Sequence, residues 1–417
     1  MSLANSRLIP SVETIRGDFP GLLRKHGGQQ VAYFDGPGGT QVPMAVGHAV
    51  IDYLYNHNAN TRWEYPSSQE TDSTILRARE AMADWLGGNA DEMAFGPSMT
   101  ALTFQLSRVL SRRWASGDNI VVTEQDHHAN VDTWKHAASE NGVEVRTARV
   151  DADGNLDIHD FEKKISSRTR LAAFSAASNV LGVINPVGQL VSIASQYGAL
   201  TFVDMVHYSG HLVGHVRDWA CDFAACSAYK FYGPRVAALW VRKEVLDGLE
   251  GLVLAPAPST GTSKFERGAM NHEGIAGAGA AIEYLATLPG DVGSRRQRLE
   301  MVSKELQERE VALFERLWNG VKRIRGLSTV GPAPGRHRTA TLSFAVHGLP
   351  AKMLSRRLAQ AGLFLSHGNF YAQQLVKSLG HANDGLARAG CAIYSTADEV
   401  ERLLEEIRCI QHEVESA

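Results

Sequence analysis

Two side chains suited to chemistry, a lysine and an aspartate, each follow an apolar stretch of this sequence. Lys230 lies in the segment Cys226–Pro234, which follows a predicted strand, and Asp204 closes the apolar stretch Ala199–Asp204. Taken singly, each has an ordinary explanation, since lysines usually lie in water and an aspartate often caps a helix. Open α/β sheets bind ligands at the carboxyl ends of their parallel strands. Together, the two residues therefore predict a site at such an edge.

A lysine facing an aspartate at that edge suits pyridoxal 5′-phosphate (PLP). The amine holds the aldehyde of PLP as an imine and later moves protons, while the carboxylate keeps the pyridine nitrogen protonated. We therefore expect PLP as the cofactor and Lys230 and Asp204 as catalytic residues. A nicotinamide enzyme is disfavoured because no G-x-G-x-x-G follows an early strand.

Other motifs accompany the lysine segment in a fixed order along the chain. They are Tyr33–Thr40 (YFDGPGGT), Asn58–Asn60 (NAN), Asp126–Asn130 (DHHAN), Ser178–Gly182 (SNVLG), Asp204–His207 (DMVH), Cys226–Pro234 (CSAYKFYGP) and Arg388–Thr396 (RAGCAIYST). From about Val31 to the C-terminus, this set resembles the class V aminotransferase superfamily, in its cysteine desulfurase and selenocysteine lyase branch. The resemblance implies fold type I, the aspartate aminotransferase-like PLP-dependent transferase fold.

The resemblance also implies cofactor-binding residues besides Lys230 and Asp204. His127 would stack on the pyridine face and serve as a third catalytic residue by passing a proton, although a hydrogen-bonded core histidine is the ordinary alternative. Asn179 and His207 would contact the ring hydroxyl. The turn before a helix suits a phosphate, because helix N-termini bind anions. The phosphate ligands expected there and beside the lysine are Ser98, Met99 and Ser227.

For the substrate, the resemblance implies contacts from Gly38, Asn179, Tyr371 and Arg388. A planar guanidinium suits a carboxylate because it donates two parallel hydrogen bonds, so Arg388 would bind the carboxylate of an amino acid. A structural salt bridge is the alternative for Arg388. Tyr371 has two explanations as well, since it either contacts substrate or begins a helix that runs to Leu379.

The sequence departs from the family pattern at several positions. Tyr229 replaces the histidine before the lysine, and His207 replaces a glutamine and titrates near neutrality. Gly268–Asn271 lacks a threonine that in the family reaches the neighbouring subunit's phosphate. Tyr371 stands where the desulfurase cysteine would lie, and a phenol cannot accept sulfur as a persulfide.

The expected function is therefore that of a PLP enzyme acting on a small amino acid, by aminotransfer or by carbon–sulfur β-elimination. A persulfide-forming cysteine desulfurase and a non-catalytic PLP-binding protein are the alternatives. The resemblance also implies a homodimer with shared active sites, and two-fold association is the commonest oligomer.

The strands and helices that must position these residues are predicted to alternate along the chain, which is typical of an α/β fold. Short apolar runs alternate with helical stretches such as Val187–Gln196, which predicts a large, mostly parallel sheet with both faces covered. The predicted strands are Asn119–Thr123, Val143–Val150, Arg170–Ala176, Ala199–Asp204 and Val236–Val241. We expect an N-terminal segment over 1–30, a large PLP-binding domain over 31–290, and a bridging helix with a small α+β domain over 291–417.

The C-terminal elements predicted for the small domain alternate strand and helix after the long charged helix Gly290–Arg325. They are Thr339–Val346, Ala351–Ala361, Leu363–Ser366, Phe370–Leu379, Leu386–Tyr394 and Asp398–Gln411.

Composition narrows the class of protein further. Of 417 residues, 44% are hydrophobic and 21% are charged, with a net charge of −3, so we expect a globular chain without a nucleic-acid partner. No apolar run is long enough to span a bilayer, so we expect no membrane partner. The 4 cysteines lack metal-ligand spacing, which predicts no metal site and fits a reducing, cytoplasmic location.

Overall fold

The structure is a computed structural model, and it describes residues 9–335 and 337–416. The strands are β1 (Lys25–His26), β2 (Gln29–Gln30), β3 (Ala32–Tyr33), β4 (Met93–Gly96), β5 (Asn119–Thr123), β6 (Glu144–Ala148), β7 (Thr169–Ser175), β8 (Leu200–Asp204), β9 (Phe223–Ser227), β10 (Ala237–Val241), β11 (Leu327–Val330), β12 (Thr341–Val346), β13 (Leu363–Phe364), β14 (Ser366–Gly368) and β15 (Leu386–Gly390). The α-helices are α1 (Val12–Arg16), α2 (Met44–Asp52), α3 (Pro66–Leu86), α4 (Met99–Ser111), α5 (Asp132–Glu140), α6 (Ile158–Lys164), α7 (Val187–Ser195), α8 (Lys243–Gly248), α9 (His272–Thr287), α10 (Arg295–Lys322), α11 (Ala351–Gln360), α12 (Gln373–Ser378) and α13 (Ala397–Ser416).

A seven-stranded sheet forms the centre of the large part of the molecule. Its strand order is β4-β10-β9-β8-β7-β5-β6. The pairs from β9 to β6 are parallel, and β10 runs antiparallel to both of its neighbours. Strand β8 pairs in register with β7, which sets Asp204 opposite Ser175. The expected α/β architecture with a large, mostly parallel sheet is confirmed.

Apolar side chains cover both faces of this sheet. Successive residues of a strand point to opposite faces, so a continuously apolar strand feeds two cores at once. Along β8, Phe202 joins one hydrophobic cluster and Val203 joins the other. Leu171 and Ala172 on β7 divide in the same way. A strand buried on both sides leaves only its end for polar chemistry.

Beyond the long helix α10, an antiparallel four-stranded sheet of order β11-β12-β15-β14 carries the C-terminal elements. Strand β3, from the start of the chain, pairs in parallel with β13, and Ala32 and Phe34 pack in the hydrophobic cluster of this region. The proposed domain boundaries at 31 and 291 stay a prediction, and residues 1–8 of the N-terminal segment lie outside the described residues.

None of the helices in the described ranges is long and apolar enough to cross a membrane.

The five strands predicted with stated bounds all occur in the large sheet, with ends that shift by at most two residues, whereas β4 and β9 are not among them. Several C-terminal predictions were wrong in detail. The stretch Leu363–Ser366 is divided between β13 and β14, and the strand from Leu386 ends at Gly390 rather than Tyr394.

The helix expected from Phe370 begins only at Gln373. Phe370 and Tyr371 have φ angles of 53° and 58°, which belong to the left-handed region and cannot continue a right-handed helix. Tyr371 therefore does not begin the helix, contrary to one of its two explanations.

Candidate active site

A cavity of about 320 Å³ opens at the carboxyl ends of the parallel strands. Every residue that the sequence analysis predicted for the site lines it. These residues are Gly38, Ser98, Met99, His127, Asn179, Asp204, His207, Ser227, Lys230, Tyr371 and Arg388. They come from segments far apart in the chain, and the sheet brings them together because strands that run in one direction end at one edge.

Lys230 lies in a 3₁₀ turn directly after β9, and its residue is only 9% exposed. Its Nζ donates to the carbonyl oxygen of Pro37 and lies 5.1 Å from the centre of the Tyr229 ring. Burial, together with the nearby charge of Arg388, lowers the pKa of Lys230 to about 7. Within the described ranges, Lys230 makes no ion pair with a carboxylate. A large fraction of the amine is therefore neutral near pH 7 and able to act as a nucleophile or a base.

Asp204 is the last residue of β8, and its side chain is buried. Oδ1 accepts a hydrogen bond from the Val206 amide at 2.8 Å. Burial raises the pKa of Asp204 to about 6, while that hydrogen bond and the Lys230 charge act in the opposite direction. The side chain is thus mostly a carboxylate at pH 7, and it is poised to hold a proton shared with a basic nitrogen.

His127 follows β5, and its Nδ1 accepts from the Ala129 amide at 3.0 Å. That contact places the proton of the neutral ring on Nε2. Burial, together with the charges of Lys230, His128 and Arg388, lowers the pKa of His127 to about 4. The Tyr371 ring stacks on this imidazole at a centroid distance of 5.3 Å and an interplanar angle of 24°.

The loop that carries Tyr371 is held by backbone contacts to the large sheet. The Tyr371 carbonyl accepts from the His128 amide at 2.6 Å, and the Phe370 carbonyl accepts from Nδ2 of Asn179 at 2.9 Å. Nevertheless, Tyr371 is 73% exposed. The phenol therefore lies at the mouth of the cavity, over His127.

Arg388 supplies a buried cation on the opposite wall, from β15. Its Nη1 donates to the Asn179 carbonyl at 2.6 Å, and its guanidinium lies 4.2 Å from the centre of the Phe370 ring. Nε has no partner, and Arg388 forms no ion pair among the residues that the structure describes. Burial lowers its pKa to about 9. The alternative of a structural salt bridge therefore finds no partner here, and a buried guanidinium with free donors suits an anionic ligand.

The cavity also has groups suited to a phosphate. Ser98 caps α4 by accepting from the Ala101 amide at 3.1 Å, so the N-terminus of this helix, with Met99, borders the cavity. Ser227, at the end of β9, borders the same space. A helix N-terminus and hydroxyls are the donors that a dianion requires.

The residues present fit PLP. Nε of Arg388 is buried and has no hydrogen-bond partner within the described residues, and Ser175 brings a hydroxyl to the same cavity wall. Arg388 brings a buried cation and Lys230 a buried amine, and the charges of Asp204 and Asp35 act on that amine from nearby. A cofactor that has an aldehyde, a basic ring nitrogen and a phosphate matches this set of lysine, carboxylate and helix N-terminus.

The sequence analysis missed some residues of the cavity wall. Ser175 closes β7 at the same edge as Asp204, so its position at the end of a predicted strand was a signal for it. Thr100 follows the expected phosphate ligands Ser98 and Met99. Phe370 lies in a loop where the sequence predicted the start of a helix. Tyr229, noted only as a departure, also lines the cavity.

No cysteine borders the cavity among the residues that the structure describes. Cys221, Cys226 and Cys391 are buried, and Cys409 is exposed on α13. Burial raises the pKa of Cys226 to about 12 and also raises the pKa values of Cys221 and Cys391. These three thiols are therefore protonated at neutral pH and poor nucleophiles.

Known proteins resemble this chain over nearly its whole length. The family model described as aminotransferase class-V matches residues 32–403. A cysteine desulfurase of Pectobacterium carotovorum subsp. carotovorum (strain PC1) is 30% identical over 415 residues, which cover 96% of this chain and 98% of the relative. A probable cysteine desulfurase 2 of Mycobacterium leprae (strain TN) is 31% identical, with 94% of this chain and 95% of the relative covered. The solved apo structure of a cysteine desulfurase from Thermococcus onnurineus NA1 has a TM-score of 0.86 at 27% identity and covers 98% of this chain and 99% of its own.

Proposed function

Because this chain belongs to the class V aminotransferase family and is a PLP-dependent enzyme of its cysteine desulfurase-like branch, we propose that it acts on a small amino acid without using a cysteine of its own. The observation that carries this proposal is the meeting of Lys230, Asp204 and Arg388 in one cavity. Lys230 provides a base, Asp204 a partner for a protonated ring nitrogen, and Arg388 a group that binds the carboxylate of the substrate.

When bound, PLP supplies an electron-accepting ring for the charge that develops at the α-carbon of the substrate. The protein's contribution is to bind, orient and move protons. The guanidinium of Arg388 orients the substrate carboxylate, and the neutral amine of Lys230 accepts the α-proton. The carboxylate of Asp204 holds a proton at the pyridine nitrogen. His127 would face the ring, and its Nε2–H is available to donate a hydrogen bond.

Two outcomes share these first steps. In β-elimination, a carbon–sulfur bond of the substrate breaks and the thiolate leaves, and hydrolysis of the remaining fragment gives pyruvate and ammonia. In aminotransfer, the amino group stays with the enzyme until a keto acid accepts it. Lys230 is needed as the base in both, so the cavity supports both reactions equally.

A persulfide-forming desulfurase is disfavoured by the position of Tyr371 and by the chemistry of the thiols. Persulfide formation needs a thiolate within reach of the substrate sulfur. In the described part of the chain, the cavity has an exposed phenol at its mouth and no thiol. A non-catalytic PLP-binding protein is disfavoured because Lys230 and Asp204, the base and the partner of the ring nitrogen, both line the cavity beside Arg388.

The decisive experiment is a panel of amino acids, assayed together for pyruvate, sulfide, alanine and aminotransfer to a keto acid. We expect pyruvate with free sulfide, or aminotransfer without sulfide, from a thiol-bearing or other small amino acid. Lys230→Ala is the inactive control. In parallel, mass spectrometry of every thiol after incubation with cysteine should show no turnover-linked persulfide. Stoichiometric persulfide on any cysteine would refute the proposal, and so would the absence of turnover across the whole panel.

We also propose a homodimer with shared active sites. Large apolar side chains are exposed in one segment that runs from α2 into the following loop: Ile51, Leu54, Tyr55, Trp63 and Tyr65, of which Tyr55 is 82% exposed. Exposed apolar clusters of this kind mark protein–protein interfaces. Light scattering should give twice the monomer mass at micromolar concentration. The double variant Tyr55→Glu with Trp63→Glu should be monomeric, whereas Leu254→Glu, which changes an equally exposed residue elsewhere, should not. A monomeric, PLP-loaded wild type would contradict the proposal.

A further inference from the structure

A chain of buried polar side chains lies behind the cofactor cavity, and the reaction as proposed does not use it. Nδ1 of His211 lies 2.7 Å from Oε2 of Glu310, and both side chains are less than 8% exposed. The His211 ring in turn packs edge-on against the His207 ring, at a centroid distance of 5.0 Å and an angle of 65°. Because His207 lines the cofactor cavity, this chain connects the long helix α10 to the cavity wall.

His207 has partners on its other side as well. Its Nε2 lies 2.9 Å from the Thr339 hydroxyl and 3.2 Å from the Thr341 hydroxyl, both from the C-terminal part of the chain. With Nε2 engaged by hydroxyls, Nδ1 is the ring nitrogen left for a further partner. A glutamine side chain, which the family pattern has at this position, offers a neutral hydrogen-bonding group. A histidine matches that group only while its ring is uncharged.

The charges around the two imidazoles indicate which of them takes a proton. The groups that face His207 are His211, Lys230 and Arg388, and each disfavours a second positive charge. Burial lowers the pKa of His207 well below its usual range, and these three neighbouring groups act in the same direction. His211, by contrast, faces the carboxylate of Glu310, which also acts on the neighbouring Tyr232 and Cys391. Two imidazoles in contact do not both carry a charge when only one of them has an anion beside it.

We propose that His211 and Glu310 are positioning residues that hold the proton of this histidine pair away from His207, so that His207 remains a neutral hydrogen-bonding group beside the cofactor. The inference rests on the proposed function only in taking the cavity as the cofactor site. It also explains how a histidine can replace the glutamine of the family pattern without bringing a titrating charge to the cavity wall.

The test measures the imidazole nitrogens themselves, by ¹⁵N NMR of protein labelled at histidine, first without and then with PLP. His207→Gln and His211→Gln assign the two signals. Between pH 5.5 and 8, we expect His207 to stay neutral as one tautomer in the wild type. In His211→Gln, His207 should begin to titrate within that range, because His211 no longer competes for the proton while Glu310 remains nearby.

The visible absorbance of bound PLP gives a second readout, which a merely structural role would not move. His211→Gln should acquire a proton-linked transition that is absent from the wild type and absent from the double variant His211→Gln with His207→Gln. His215→Gln, which alters a half-exposed histidine on the same segment, is the matched control and should behave as the wild type.

The proposal is overturned if His207 titrates between pH 5.5 and 8 in the wild type, or if it stays neutral across the same range in His211→Gln. Should His211→Gln fail to fold, His211→Asn, which also replaces the imidazole with a neutral amide, provides the same test. The NMR measurement needs neither PLP nor turnover, so its failure is distinguishable from a failure of the proposed reaction.

Discussion

Replacing Arg388 with methionine tests the substrate-binding wall most directly. Methionine has a similar length and no charge, so the change removes the guanidinium and leaves most of the side-chain volume. In the structure, that guanidinium is buried, stacks on Phe370 and has no ion-pair partner among the described residues. The variant should therefore fold with a melting temperature equal to or above that of the wild type, since an unpaired buried charge is removed.

The expected loss of activity follows from the hydrogen bonds that a carboxylate would lose. Hydrogen bonds to charged groups contribute about 1.5–3 kcal/mol each. A two-pronged contact therefore contributes at least about 3 kcal/mol, and about 1.4 kcal/mol corresponds to a factor of ten. We expect kcat/KM to fall roughly 100-fold in Arg388→Met. Arg388→Lys keeps the charge but loses the planar pair, so its loss should be intermediate.

A substrate comparison separates carboxylate binding from support of the loop. The wild type should prefer an amino acid over the amine that lacks its carboxylate, and Arg388→Met should lose that preference. A second readout is the reaction of apoenzyme with PLP at pH 7, which should slow because the Arg388 charge helps to keep Lys230 neutral. A variant within threefold of wild-type kcat/KM, or one that still discriminates against the amine, would refute the assignment.

Three further predictions concern the cofactor side of the cavity. Lys230→Ala should lack the visible band of lysine-bound PLP, and a borohydride-trapped adduct on any other lysine would show that the attachment is misassigned. Asp204→Asn should still bind PLP but turn over at least about a hundredfold more slowly, because it no longer holds a proton at the ring nitrogen; equal turnover would remove Asp204 from the mechanism. The rate at which apoenzyme takes up PLP should rise about tenfold per pH unit below pH 7 and level off above about pH 8, since the Lys230 pKa is lowered to about 7 and only the neutral amine reacts. A rate that still rises steeply at pH 9 would indicate an ordinary lysine.

The sequence sufficed to predict the strand ends that carry chemistry. Asp204 closes a β-branched, apolar strand, and both faces of that strand are buried, so its end is the one place for a polar side chain. The motif positions gave Lys230, His127 and Arg388, and all of them line the cavity. Their chemical roles stay predictions until the variants above are measured.

Features that depend on tertiary contacts could not be predicted in the same way. Phe370 and Tyr371 adopt left-handed backbone conformations because contacts from Asn179 and His128 hold their carbonyls, and no local pattern encodes those distant partners. Glu310 lies within the long charged helix α10, and its neighbours in the sequence do not distinguish it from a solvated carboxylate. Only the packing of that helix against His211 shows that it is buried.

The pairing of β3 with β13 has a consequence for how the chain is made. The amides of Ala32 and Phe34 donate hydrogen bonds to the carbonyl oxygens of Gly362 and Phe364. A strand near the start of the chain therefore pairs only after a segment near its end has been synthesised. During synthesis, the ribosome releases the early residues seconds to minutes before the late ones. A nascent chain of this protein therefore exposes an extended apolar segment around residue 32 until about residue 364 has emerged, and chaperones that recognise such segments have their opportunity in that interval.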